Sequence, residues 1–81
     1  MEIMRVRGDL VCSQRVDGLQ HASLRVLENN KGVLLVATDP VGVPPGKWVF
    51  TNVGSAARLA MPDVTTMTDL TICGIIDDWD A

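Results

Sequence analysis

Apolar and polar residues alternate along several short stretches of this chain, and turn-forming residues separate the stretches. Alternation with a period of two predicts β-strands, because successive side chains of a strand point to opposite faces. The pattern predicts five strands, at residues 3–12, 24–27, 33–38, 47–53 and 70–76. Gly8 interrupts the first of them, and we expect either a β-bulge or a close backbone approach there.

The connections between the predicted strands differ in character. Asn29-Asn30-Lys31-Gly32 predicts a tight hairpin, since Asn and Gly tolerate the positive φ that such turns need. Residues 39–46 contain three prolines and two glycines, which predict a rigid connection. Residues 14–22 are predicted to form a loop, and residues 64–68 either a loop or a short edge strand.

One short helix is expected between the fourth and fifth strands. Ser55 is predicted to be its N-cap, residues 56–60 are good helix formers, and Pro62 ends the run. Five strands and one helix in 81 residues predict a single all-β domain over residues 1–81, folded as a small barrel. An OB-like Greek-key barrel and an SH3-like barrel both agree with this pattern.

The amount of apolar sequence indicates partner chains. A chain of this length buries only about 60 to 65% of the surface that its unfolded form exposes, yet 47% of its residues are apolar. The strand at residues 33–38 is apolar on both faces, which is typical either of a central strand or of one covered by a neighbouring subunit. We therefore expect an oligomer.

Charge and aromatic content disfavour a nucleic-acid function. The net charge is −3 and the seven Lys and Arg residues are scattered along the chain, so a phosphate backbone would be repelled. One Phe, two Trp and no Tyr make a poor stacking surface for single strands. Trp48 and Phe50 lie two residues apart on one predicted strand and share a face, where we expect a core or subunit contact.

The side chains that could ligate a metal are few and poorly spaced. They are Cys12, Cys73, His21 and the carboxylates Asp77, Asp78 and Asp80. No Cys-x-x-Cys or His-x-x-x-His pair is present, so we assign no metal and no cofactor. No apolar leader precedes the first strand and no apolar run is long enough to span a bilayer, so we expect a cytoplasmic protein with two reduced thiols.

Two segments are partly similar to functional motifs, a phosphate-binding loop and a nucleophile elbow, but each lacks required residues. Gly42 and Gly46-Lys47 are similar to a phosphate-binding loop, but only three residues separate the glycines, and Trp48 stands where Ser or Thr should bind Mg²⁺. Ser55 lacks the second glycine of a nucleophile elbow, and His21 is the only imidazole that could activate it. We therefore expect no enzymatic activity.

Four motifs, in this order and spacing, resemble the EutN/CcmL family of bacterial microcompartment vertex proteins. They are Asp39-Pro-Val-Gly42, Pro45-Gly-Lys-Trp-Val49, Gly54-Ser-Ala-Ala-Arg58 and Asp69-Leu-Thr-Ile-Cys-Gly-Ile-Ile-Asp77. The resemblance covers nearly the whole chain. Within the family, the Pro-Gly-x-Trp-Val turn and the short Asp-x-Trp ending are most similar to the members from α-type carboxysomes.

The resemblance implies an OB-like barrel that assembles as a homopentamer and closes the vertices of a carboxysome shell beside hexameric shell proteins. It further implies that Gly54, Ser55 and Ala56 line an opening on the fivefold axis and that Arg58 forms an ion pair across the subunit interface, where Trp48 is a second candidate. Five copies meeting at an axis leave room only for small side chains, and the N–H groups of a helix beginning at Ser55 would favour a small anion such as bicarbonate. Many family members carry a second serine where this chain has Ala56.

Two other function classes remain open at this point. A small oligomeric OB-type domain could bind nucleic acid or a peptide, and salt-dependent binding of single-stranded DNA would favour it. An uncharacterised small enzyme would need His21, so His21→Ala should abolish its turnover.

Overall fold

Five strands close into one barrel in the order β1-β2-β3-β5-β4 in the computed structural model, which describes residues 1–79. The elements are β1 (Glu2–Asp9), a 3₁₀ helix (Asp17–Leu19), β2 (Leu24–Glu28), β3 (Leu34–Thr38), β4 (Trp48–Val53), α1 (Gly54–Leu59) and β5 (Leu70–Ile75). The predicted OB-like five-stranded barrel with one short helix is confirmed. Asp80, part of the predicted acidic ending, lies outside the described residues.

The barrel interior is filled by the aliphatic side chains that the alternation directs inward. Val6, Leu27, Val49 and Ile72 come from four different strands and have almost no exposed surface. Val43 joins them from the connection between β3 and β4. A single dry cluster therefore holds the sheet closed.

Two local predictions about β1 and the first hairpin are confirmed. The pairing of β1 with β2 shifts register between Val6 and Gly8, which is the expected bulge. In the hairpin, the Asn29 carboxamide oxygen accepts hydrogen bonds from the backbone N–H groups of Lys31 at 2.9 Å and Val33 at 3.0 Å. Gly32 has φ +77°, a conformation that glycine adopts without steric cost.

Several predicted boundaries are wrong. β1 ends at Asp9 rather than residue 12, and the expected loop at residues 14–22 contains the short 3₁₀ helix. Val53, in extended conformation, caps α1, and Ser55 lies inside the first turn, so the predicted N-cap is wrong. The physical reason is Gly54, whose φ of +63° turns the chain from β4 directly into the helix. Residues 64–68 form a loop.

A cluster of threonine hydroxyls closes the barrel where the backbone ladder is shortest. β3 and β5 run parallel and share a single registered pair, Thr38 with Thr71. The Thr38 hydroxyl is hydrogen-bonded to those of Thr71 at 2.8 Å and Thr68 at 3.0 Å. The Thr71 hydroxyl also donates to the Ala57 carbonyl of α1 at 2.8 Å, which ties the helix to β5.

The connection between β3 and β4 is organised around a buried carboxylate. Asp39 accepts hydrogen bonds from the N–H groups of Val41, Gly42 and Val43, at 2.9, 2.9 and 2.7 Å. The guanidinium of Arg25 lies 3.1 Å from the same carboxylate, so the negative charge is paired as well as hydrogen-bonded. These contacts hold the connection in one defined conformation.

None of the helices within residues 1–79 has the length and apolar character that a bilayer span requires. Over the same residues, no three His, Cys, Asp or Glu side chains lie close enough together to hold a metal ion.

Candidate functional site

Helix α1 carries the small residues predicted to line an axis, and all of them are exposed. Gly54, Ser55 and Ala56 follow β4 directly and form the first turn of the six-residue helix. The Gly54 N–H donates to the Asp69 carbonyl at 3.0 Å, which fixes this turn against the residue that precedes β5. The turn is thus held at one edge of the barrel with its small side chains uncovered.

The other side of α1 is anchored. Ala57 is fully buried against the barrel, and its carbonyl accepts the Thr71 hydroxyl. Arg58 lies on the exposed side, where its guanidinium is 3.5 Å from the Ser55 hydroxyl. Among the described residues Arg58 forms no ion pair. Its charge therefore has no acidic partner in the part of the chain that the structure describes.

Trp48 begins β4 on the outer wall of the barrel and keeps 40% of its surface exposed. Its ring centroid is 5.5 Å from that of Trp79 in an edge-to-face arrangement, with an interplanar angle of 74°. The Arg5 guanidinium lies 5.8 Å from the Trp48 ring centroid on the paired strand β1. An aromatic and cationic cluster therefore stands on the outside of β4.

Trp48 and Phe50 share one face of β4, as predicted, and that face is the outer one. The intervening Val49 is fully buried inside the barrel, because direction alternates along a strand. The ring of Phe50 lies over Gly74 of β5, where an added Cβ would collide with it. Of the two expected roles, a place in the barrel core is wrong for Trp48.

Arg58 and Trp48, the two predicted interface residues, are not brought together. Trp48 opens β4, whereas Arg58 follows its end by five positions on α1. If both contact neighbouring subunits, they do so at separate points of the interface.

His21 is exposed and lies on a surface cleft of about 270 Å³ between the 3₁₀ helix and the loop after α1. The cleft is also lined by Asp17, Asp63 and Thr65, but not by Ser55. The Thr65 hydroxyl and N–H donate to the Asp63 carboxylate at 2.6 and 2.9 Å, and these hydrogen bonds lower the pKa of that carboxyl. The arrangement does not bring the Ser55 hydroxyl to the imidazole.

In the segment that is similar to a phosphate loop, a side chain of the protein occupies the position that a bound anion would take. The N–H groups of Val41, Gly42 and Val43 converge as they would on a bound anion, and the Asp39 carboxylate occupies that position. The prediction that this segment is a rigid turn is supported by that geometry.

Cys12 and Cys73 are free thiols, and both are half-buried. Cys73 accepts a long hydrogen bond from the Asn52 carboxamide, 3.5 Å from nitrogen to sulfur. The two cysteines sit on different parts of the barrel, one in the loop after β1 and the other on β5.

No residue on the outer wall of β2 and β3 was named from the sequence as a candidate for a subunit contact, although this wall is exposed. Val26 and Val36 are directly paired across the two strands, and Val36 and Leu34 are 49% and 61% exposed. The signal was present in the sequence, since residues 33–38 are apolar on both faces. Pattern alone left open whether the barrel or a neighbour covers the second face.

Both the sequence and the fold of this chain are similar to those of known proteins. A family model described as ethanolamine utilisation protein EutN/carboxysome matches residues 1–77. The carboxysome shell vertex protein CsoS4B of Halothiobacillus neapolitanus is 57% identical over 79 residues, which are 98% of each chain. Its solved structure superposes with a TM-score of 0.91 at 56% identity, over 96% of this chain and all of that one. The pentameric microcompartment shell protein GrpN from Rhodospirillum rubrum superposes with a TM-score of 0.86 at 26% identity, over 100% of this chain and 99% of that one.

Proposed function

This chain belongs to the EutN/CcmL family, and we propose that it closes the vertices of a carboxysome shell as a ring of five copies. It is a structural shell protein and not an enzyme. Its place in the cell is the carboxysome shell. The observation that carries this proposal is full-length similarity to a carboxysome shell vertex protein, at 57% identity.

An oligomer agrees with the apolar composition of the chain, and a pentameric structural relative supports a ring of five. Cyclic assemblies are built from repeated head-to-tail contacts, and the ring ends when the rotation between subunits closes. Flat layers of hexagonal tiles need fivefold pieces to curve into a closed shell, so a pentamer supplies closure rather than chemistry. Hexameric shell proteins are the proposed neighbours of that pentamer.

The first turn of α1 is the proposed lining of the fivefold axis. Gly54, Ser55 and Ala56 are small, exposed and held in place by the Asp69 carbonyl and by the buried Ala57. Five copies of a larger side chain would crowd at an axis. With Ala56 in place of a second hydroxyl, Ser55 supplies the polar side chain of this turn.

Arg58 and Trp48 are the proposed contacts to neighbouring subunits. Arg58 is exposed and has no carboxylate partner within residues 1–79. Trp48 is half covered by Trp79 and Arg5 and presents the rest of its ring outward. Trp and Arg are enriched at protein interfaces, where an apolar body and a polar group are both useful.

Native mass spectrometry tests the assembly directly. With a chain mass of 8.8 kDa, five copies give a species of about 44 kDa. We expect that species at micromolar concentration in volatile buffer and the same mass by sedimentation. A stable monomer would contradict the proposal.

A further inference from the structure

Two separate parts of the outer barrel wall are apolar and either partly or largely exposed. The aliphatic face is formed by Val26, Leu34 and Val36 on β2 and β3, and the aromatic face by Ile3, Trp48 and Phe50 on β1 and β4. Each face contains one apolar cross-strand pair, Val26 with Val36 and Ile3 with Phe50. The third member of each face is paired with a charged residue, Leu34 with Glu28 and Trp48 with Arg5. Both are contiguous patches rather than scattered residues.

At another part of the outer barrel wall, the chain's own segments cover the side chains. On the same side of the barrel as the aliphatic face, Leu24 and Thr38 are directly paired and both are buried. They are covered by the 3₁₀ helix and the loop after α1, which meet where the Met67 N–H donates to the Gly18 carbonyl at 3.1 Å. That cover stops before Val26, Leu34 and Val36. The aliphatic face is therefore left open by the fold itself.

The two faces lie on opposite sides of the barrel. The strands follow one another around the barrel as β1-β2-β3-β5-β4. In a ring of five strands, the strand across from the seam between β2 and β3 is β4. The aliphatic face is on that seam and the aromatic face is centred on β4.

We propose that the aliphatic face of one subunit packs against the aromatic face of the next copy of this chain. This inference rests on the proposed fivefold assembly and names the surfaces that build it. A head-to-tail ring needs two different faces on each subunit, inclined so that the last copy meets the first, whereas a twofold dimer needs one face that pairs with itself. A related fold, GrpN at 26% identity, is pentameric, so a second copy is the occupant that the geometry fits.

The same pairing orients the subunit in the ring when its barrel axis runs along the fivefold axis. Between the two faces, one side of the barrel holds β5 with the attached α1, and the other holds the seam between β1 and β2. One of these sides must face the axis and the other the surrounding shell. The small exposed residues on α1 suit that helix to the axis, so the opposite side, where Arg7 of β1 lies 3.6 Å from Glu28 of β2, faces outward.

Two charge substitutions test the pairing, one on each face. Val36→Glu and Ile3→Glu each place a carboxylate in one apolar face and leave the other face intact. We expect each variant alone to be monomeric by sedimentation. When the two variants are mixed in equal amounts, we expect a heterodimer as the largest species. The unaltered aromatic face of Val36→Glu can pair with the unaltered aliphatic face of Ile3→Glu, and no second pair of unaltered faces remains to extend the assembly. Val11→Glu, a change at a residue 90% exposed in the loop after β1, should leave the pentamer intact.

Each outcome is decisive. Homodimers of either variant would mean that a face pairs with itself, and pentamers of both variants would mean that the faces lie outside the interface; either result overturns the proposal. A monomeric wild-type chain would instead contradict the fivefold assembly. If circular dichroism shows that one variant is unfolded, Leu34→Glu and Trp48→Glu carry the same test on the same two faces.

Discussion

Asp39 is the residue on which the shape of the β3–β4 connection most depends. Its carboxylate has no exposed surface, accepts three backbone N–H groups and is paired with Arg25. Burying a carboxylate costs solvation free energy. Its hydrogen bonds and ion pair offset that cost only while every partner is present. It is thus a charged centre in an interior whose other buried polar groups are threonine hydroxyls.

Asp39→Asn is expected to destabilise the protein strongly. The amide removes the charge that Arg25 faces and puts an N–H₂ group among N–H donors, which should lower the free energy of unfolding by about 3 kcal/mol. Chemical denaturation followed by tryptophan fluorescence measures the change. Asp63→Asn is the matched control, because Asp63 accepts similar local hydrogen bonds in an exposed turn. Equal effects of the two substitutions would contradict this role for Asp39.

At the scale of the element, α1 is a short helix whose position matters more than its own stability. Six residues form too few hydrogen bonds to be helical alone. The helix is held by Gly54 at its start, by the buried Ala57 and by the Thr71 hydroxyl. These contacts fix where Ser55 and Ala56 stand on the subunit surface.

Ser55→Cys tests whether this turn lies at the fivefold axis. In a background carrying C12S and C73S, oxidation should link neighbouring copies as disulfide dimers, because five thiols would converge on one axis. Each thiol forms one bond, so at most about four of every five chains can be linked. Non-reducing electrophoresis measures the fraction. Ser13→Cys, exposed in the loop after β1, should stay monomeric under the same conditions. An intact pentamer without Ser55→Cys dimers would contradict the axis assignment.

At the scale of the whole molecule, the outward side of the ring should carry the contacts to hexameric shell proteins. Arg7 of β1 is half exposed and lies 3.6 Å from Glu28, an exposed pairing of little energetic value to the barrel. It therefore offers its charge to a neighbour at small cost to folding. Its ion pair with Glu28 also lies on the seam between β1 and β2, the side left facing the shell when the aliphatic and aromatic faces are paired.

Arg7→Glu should leave the pentamer intact and reduce its incorporation into shells. Reversing a charge at a protein contact disfavours docking, and about 1.4 kcal/mol is enough for a roughly tenfold decrease in occupancy. The ratio of vertex protein to hexamer in purified shells is the measurement. Lys31→Glu makes the same change in charge at the hairpin tip and should have a smaller effect. Normal incorporation of the Arg7→Glu pentamer would contradict an outward position for β1.

Much of the fold could be predicted from local pattern. Alternation located all five strands within a few residues, and Gly8 and Asn29 marked the bulge and the hairpin. The N-cap was missed because a serine before helix formers is a local signal, whereas the turn at Gly54 depends on how β4 enters the barrel. The candidate axis residues came from the resemblance, and their exposure became visible only in the structure.

Residue order determined the period of each strand, the positions of the turns and the pairing of Trp48 with Phe50 on one face, because these depend on contacts within a few residues. It did not determine which face of a strand is inside. Closure of the barrel decided that Val49 is buried while Trp48 stands outside, and it brought Asp39 to Arg25. It also set the aliphatic and aromatic faces on opposite sides. Those relations join residues far apart in the chain, so only the packing of all five strands could establish them.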